Sequence, residues 1–276
     1  MKAIRQSITL PGRGAKLKVY AIADIHAGNA LCDEALLRQT VKQIAADPLA
    51  RWVGLGDMGE WINRKDPRHR ESRMAPWLHG VDDLAAAQRA WLLDVFKPVR
   101  GKCLALIKGN HEDAILHHNE TDVYMHLVEA MRVGDQQLAL GVQGFLILNL
   151  RRKGSEGDSH NVTFYLHHGY TGGRYAGAKA LALERLPGSY DFDVGLLGHS
   201  HVRQVLTKTR LTVNDALDVV ERRQVCAVCG SFLRSQGDPE QYGEMKGYTP
   251  NDTGCVVIEI EAFRGRQNET AVRVVV

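Results

Sequence analysis

The sequence has no apolar run approaching the ~18 residues that would suggest a membrane-spanning helix. Its first ten residues, Met1 to Leu10, lack the apolar core of a secretory leader. It holds only five cysteines, an odd number for a disulfide framework, and without an export signal they read as reduced thiols. A cytoplasmic location is therefore expected. There is no internal repeat, no low-complexity tract and no linker-like boundary, so one domain spanning residues 1–276 is the simplest organisation. Net charge is small as well: +3, with a pI near 8.6, is compatible with a nucleic-acid substrate without arguing for one. What remains is an ordinary globular composition, 44% hydrophobic and 24% charged, in a chain long enough to bury one sizeable core. Histidine is the exception to this scarcity. There are twelve, several of them in pairs or tight clusters, and the chemistry is sought there.

Three short apolar runs each stop at a polar residue. Residues 16–23 end at Asp24, residues 52–56 at Asp57, and residues 103–107 lead to Gly109, Asn110 and His111. Helical periodicity separates them, over 35–46 and 81–96. This pattern predicts βαβαβ, a parallel sheet with helices packed on it. The second half predicts a helix over 122–132, strands over 138–152 and 161–166, and a helix over 176–186. Further strands are expected over 193–197, 202–207, 225–228, 255–261 and 271–276. The whole is read as one α/β unit with two sheets.

Five motifs recur at the ends of these strands: Asp24-Ile25-His26, Gly56-Asp57, Gly109-Asn110-His111-Glu112, His167-His168-Gly169 and Gly198-His199-Ser200-His201. Strand ends are where ligands collect in open α/β sheets. Asp24 and His26 alternate by two, as do His199 and His201, so in extended chain each pair projects to one side. His167 and His168 are adjacent and point to opposite faces, so only one of them easily coordinates. His168, directly before Gly169, is the expected one.

Taken in order, D-x-H, G-D, G-N-H-E, H-G and G-H-x-H, the motifs resemble the calcineurin-like metallophosphoesterases. The resemblance covers Asp24 to His201, about two-thirds of the chain. It implies a four-layer α/β fold, a two-sheet β sandwich flanked by helices. It also implies hydrolysis of phosphate esters by a metal-bridging hydroxide. One ion would be held by Asp24, His26 and His201 and a second by Asn110, His168 and His199, with Asp57 bridging. His111 is similar to the family's catalytic histidine, and Glu60 is the expected carboxylate that fixes its tautomer, with Glu112 the alternative. Mixed imidazole and carboxylate donors suit manganese, expected first, and also iron, zinc or cobalt.

Outside the motifs, residues 63–73 hold Arg64, Lys65, Arg68, Arg70 and Arg73 against Asp66 and Glu71. They are either a solvated loop or a cationic rim for a phosphate backbone. Arg174 in Thr171-Gly172-Gly173-Arg174 is placed to clamp a phosphate oxygen, and His167 joins Arg64, Arg68 and Arg174 as an expected substrate contact. Cys226 and Cys229 form a C-x-x-C without a second pair and read as core packing. The expected function is a nuclease-like phosphodiesterase acting on DNA or RNA. The alternatives are a small-molecule phosphomonoesterase or nucleotide phosphodiesterase, and a non-catalytic phosphoesterase-like binding module.

Overall fold

Apolar residues on alternate positions of neighbouring strands build two facing sheets. The structure is a computed structural model, and it describes every residue except 156, 171–174, 214–215, 238–249 and 265–268. In the first sheet, β2 (Lys16–Ile22), β3 (Ala50–Gly54), β4 (Cys103–Ile107) and β5 (Ala139–Gly141) run parallel. On the other side of β2, β11 (Val256–Arg264) and β12 (Glu269–Val275) add antiparallel. The second sheet has the order β1 (Lys2–Leu10), β6 (Gln143–Arg152), β7 (Ser159–His167), β8 (Val194–Leu197), β10 (Val219–Cys229) and β9 (Arg203–Val213). Here β7, β8 and β10 are parallel neighbours.

The inward faces of both sheets meet in one apolar layer, with Val19, Val53 and Ile258 from the first sheet and Leu148, Phe164 and Leu196 from the second. On the outside of the first sheet lie α1 (Glu34–Ala46), α2 (Leu84–Phe96), α3 (Asn110–Asn119) and α4 (Val123–Met131). Their apolar stripes pack on Ile22, Trp52, Cys103 and Leu106. Trp52 is fully buried, stacks on Phe96 at 4.5 Å and donates its indole N–H to the Val99 carbonyl, so truncating it to alanine costs about 3–5 kcal/mol. On the other sheet α5 (Ala176–Ser189) covers β7, β8, β10 and β9 through Ala182, Leu183 and Leu186. The result is the expected two-sheet sandwich with helices on both outer faces.

Some elements differ from the sequence reading. Residues 2–10, read only for a leader, form β1, whose outward positions after Ala3 are polar and whose buried signal rests on Ile4, Ile8 and Leu10 alone. The run 138–152 is two strands in different sheets, because Gly141 takes a φ of +75° and turns the chain between them. The β9–β10 pair is longer than expected. Residues 207–213 and 219–224 are mostly exposed, so no alternation marks them. Helix α2 begins at Leu84 rather than 81 because the Asp83 carboxylate accepts from the Ala86 N–H and caps it. Cys226 and Cys229 face opposite sides of β10 and lie in different apolar clusters, so they cannot share a ligand.

Candidate metal centre

The parallel strands bring their C-terminal ends to one edge of the sandwich. Asp24 and His26 follow β2, Asp57 follows β3, Asn110 opens α3 after β4, His168 follows β7, and His199 and His201 follow β8. Backbone bonds lock these loops to each other. Asp24 N–H donates to the Gly56 carbonyl at 3.1 Å and His26 N–H to Asp57 at 3.0 Å. The Asp24 carbonyl in turn accepts from Phe232 N–H and from the buried Ser231 hydroxyl, both beyond β10.

Three donor clusters result, one of them His26 with Glu60 and His111. Ligand atoms of Asp24, His26 and His201 lie within 4.8 Å of one another, and so do those of Asp57, His168 and His199. Asp57 Oδ2 stands 3.3 Å from His168 Nε2 and 3.9 Å from His26 Nε2, so one carboxylate reaches both sets. Asn110 Oδ1 is 2.9 Å from His168 Nε2. The seven residues named as ligands from the sequence thus meet at one place. Asp24, His26, Asp57 and His168 are buried there.

Second partners fix the ring orientations. His168 Nδ1 faces the Leu55 carbonyl at 2.7 Å, which can only accept, so this nitrogen carries the proton. His26 Nδ1 faces Glu60 Oε2 at 2.8 Å, which directs Nε2 inward. His26 Nε2 and Asp24 Oδ1 are buried without a hydrogen-bond partner. Orphaned buried acceptors are costly, and a cation satisfies them. The donor set therefore fits a pair of divalent ions.

The charges agree. Burial alone would raise the Asp57 carboxyl, but His111, His168 and His26 outweigh it and hold it well below the usual carboxylate range. Burial pulls His168 down, yet Asp57, Asp24 and the Leu55 carbonyl push it up to about 10. An imidazolium there plays the part of a cation among carboxylates, and a bound metal would displace that proton.

Backbone strain concentrates in the same loops. Asp24, His26, Asp57, His199 and His201 all have φ between 50° and 68°. Non-glycine residues in this region cost about 1 kcal/mol or more each. Gly56 has φ +91°, and a Cβ on it would lie 2.6 Å from the Gly109 backbone and 2.7 Å from His168 Nδ1. A side chain there would wedge the two strand ends apart.

His111 lies beside the cluster, its ring 4.7 Å from that of His26. The expected pairing with Glu60 takes a different form. The Glu60 carboxylate holds His26, and it is the Glu60 carbonyl that accepts from His111 Nδ1 at 2.6 Å. Glu112 is not a partner of His111 either. Its buried carboxylate accepts from the N–H groups of Asp57, Met58 and Gly109 and from the Trp61 indole, tying the β3 and β4 loops together. This role was missed because the sequence shows the Glu of G-N-H-E but not the four donors around it. Ser231 was missed too; its only signal is the glycine before it at a strand end.

His167 points to the outer face of its sheet, 5.6 Å from the exposed Tyr170, with Nδ1 accepting from Gly169 N–H. Burial, with the charges of His168 and His199, lowers it to about 4. Arg68 sits near enough to feel Glu60 and Asp57, but its guanidinium is paired with Asp66 at 2.7 and 3.0 Å. Arg64 donates to the carbonyls of Val81 and Asp82. Arg174 lies outside the described residues. No helix among them is long and apolar enough to cross a membrane.

No protein-family model and no curated protein matches the chain. Solved structures do. A metallophosphoesterase from Sphaerobacter thermophilus is 13% identical over 94% of this chain and 89% of its own, with a TM-score of 0.37. The calcineurin-like phosphoesterase YfkN of Bacillus subtilis is 12% identical over 94% and 90%, with a TM-score of 0.39. A nuclease, MPE, from Pseudomonas putida is 15% identical over 92% and 87%, with a TM-score of 0.35.

Proposed function

We propose that this chain is a dinuclear-metal phosphoesterase acting as a phosphodiesterase on DNA or RNA. The observation that carries the reading is the pair of ligand clusters with Asp57 Oδ2 3.3 Å from His168 Nε2 in one and 3.9 Å from His26 Nε2 in the other, and with Asp24 Oδ1 and His26 Nε2 buried without a hydrogen bond. Two divalent ions bound there, manganese first among them, would acidify a water and neutralise phosphate oxygens. The chain's own residues do the rest. Asp57 Oδ1 accepts from His111 N–H at 2.9 Å, which orients the shared carboxylate and ties it to the histidine beside it. With Nδ1 bound to the Glu60 carbonyl, His111 keeps Nε2 for the leaving oxygen. Burial lowers His111, but Asp57 and Glu60 outweigh it and raise its pKa, the direction that favours a proton donor.

The polynucleotide substrate is supported by the cationic loop 63–73, whose Arg68 lies within electrostatic reach of Asp57 and Glu60. A second reading, a small-molecule phosphomonoesterase or nucleotide phosphodiesterase, is favoured by one observation. Arg64, Arg68 and Arg70 already bond to acceptors of the surrounding chain. A substrate panel with Mn²⁺ separates the two: a monoester, a small diester, single-stranded DNA, duplex DNA and RNA. Turnover confined to the small substrates would reverse the order of the readings. No turnover and no bound metal would leave only a binding module.

A further inference from the structure

A second cationic site lies at the far end of the second sheet. Helix α5 covers β7, β8, β10 and β9, while the outward residues Arg5, Ser7 and Thr9 of β1 are exposed. Where β1, β6 and the turn into β7 meet there is a cleft of about 640 Å³. Among the described residues its cations are Arg5, Arg151, Arg152 and Lys153, and its one acid is Asp158, already paired with Arg152. Arg5 and Lys153 have no side-chain partner among the described residues. Arg151 is held in place rather than free to wander. Its Nε donates to Asn149 Oδ1 at 2.9 Å, while Asn149 Nδ2 donates to Asn161 Oδ1 at 3.0 Å across the β6–β7 pair. That chain of bonds fixes the guanidinium plane and leaves its terminal nitrogens as an oriented fork. Oriented guanidinium forks suit phosphate oxygens.

The lining also says which part of a ligand is recognised. Among the described residues it contains no aromatic and no aliphatic wall, only charged and polar side chains and a glycine. A nucleobase would find nothing to stack on, so the cleft suits a sugar–phosphate backbone rather than a free nucleotide. It is not part of the metal centre. Ser159, at the cleft, and His167, beside the centre, are the two ends of β7, so about 26 Å of strand separates them.

We infer that this cleft is an exosite for the phosphate backbone of a polynucleotide, engaging the chain several nucleotides away from the bond at the metal centre. The inference rests on the nucleic-acid reading above. It predicts a length dependence that the metal centre alone would not produce.

The test uses fluorescence anisotropy with a single-stranded 4-mer and 20-mer across a salt series, on the wild type and on the triple variant Arg5→Ala, Arg151→Ala, Lys153→Ala. Arg152 is kept because it braces the turn. Wild type should bind the 20-mer more tightly and with a steeper salt slope. The triple variant should lose about tenfold on the 20-mer, its salt slope falling by roughly 2, from about 0.7 per lost phosphate contact. Binding of the 4-mer and hydrolysis of a small diester should stay as in wild type. The charge-conserving variant Arg5→Lys, Arg151→Lys, Lys153→Arg should recover most of the 20-mer binding, which separates loss of charge from loss of fold. If the triple variant binds the 20-mer with wild-type affinity and slope, the exosite is refuted while the substrate reading stands. If wild type binds neither oligonucleotide yet hydrolyses the small diester, the nucleic-acid reading falls and the exosite falls with it.

Discussion

The metal-centre loops and the loop at residues 63–73 are both polar, and they are built in opposite ways. In the centre, buried carboxylate and imidazole atoms are left without partners and five candidate ligands are held at positive φ. In the basic loop His69 Nδ1 is likewise buried without a hydrogen bond, but no non-glycine residue has a positive φ and most of the arginine charge is answered locally. Arg68 grips Asp66, Asn63 Oδ1 accepts from the N–H groups of Lys65 and Asp66, and Arg64 closes on the carbonyls of Val81 and Asp82. The difference teaches that charge by itself marks a surface, whereas unmet bonding capacity together with backbone strain marks a site.

The sharpest way to break this contrast is Asp57→Asn. It should remove nearly all hydrolysis and lower bound metal from about two equivalents, with the far-ultraviolet spectrum unchanged, because only the shared charge is lost. Retention of most wild-type turnover in the folded variant would undo the assignment.

His111→Ala should keep both metals and lose ~10²–10⁴-fold in rate if it donates a proton. The loss should shrink on nitrophenyl esters, whose leaving groups need no proton. Equal losses on good and poor leaving groups would argue against proton donation, and loss of metal would make His111 a ligand.

Glu112→Ala strands four donors that the wild-type carboxylate satisfies. The expected cost is on the order of 4 kcal/mol, a fall of about 10 °C in Tm by calorimetry. The exposed Glu71 of the basic loop serves as the comparison, since its replacement by alanine should move stability by no more than about 0.5 kcal/mol. Similar melting shifts for the two would show that Glu112 is no clamp.

The smallest effect should come from replacing Arg64, Lys65, Arg68 and Arg70 together by alanine. Small-diester turnover should hardly change, and the salt slope of polynucleotide binding should flatten by up to roughly 0.7–0.9 per lost contact. Because three of these side chains already bond within the chain, the flattening should fall short of four contacts. An unaltered slope would make the loop a solvated surface.

Asp24, His26, Asp57, Asn110, His168, His199 and His201 were legible as a candidate set because each sits at the end of an apolar run, beside a glycine, or two residues on from such a position. A strand that must stop at a polar residue announces itself in one dimension. For the same reason the sandwich was legible from its buried strands. The edge strand β1 and the outer half of the β9–β10 pair were not, since Gln6 interrupts the apolar alternation of β1 and residues 207–213 are wet on both faces.

Residue types and order by themselves determined the donor chemistry and the strand ends that carry it. Only the tertiary structure decided who serves whom: that Glu60 gives its carboxylate to His26 and its carbonyl to His111, and that Glu112 gathers four N–H groups. It also gathered Arg5 with Arg151 and Lys153, more than a hundred residues apart in sequence, into one cleft. Such pairings depend on sheet register and loop approach, which are set by packing across the whole sandwich and leave no mark at the positions they bring together.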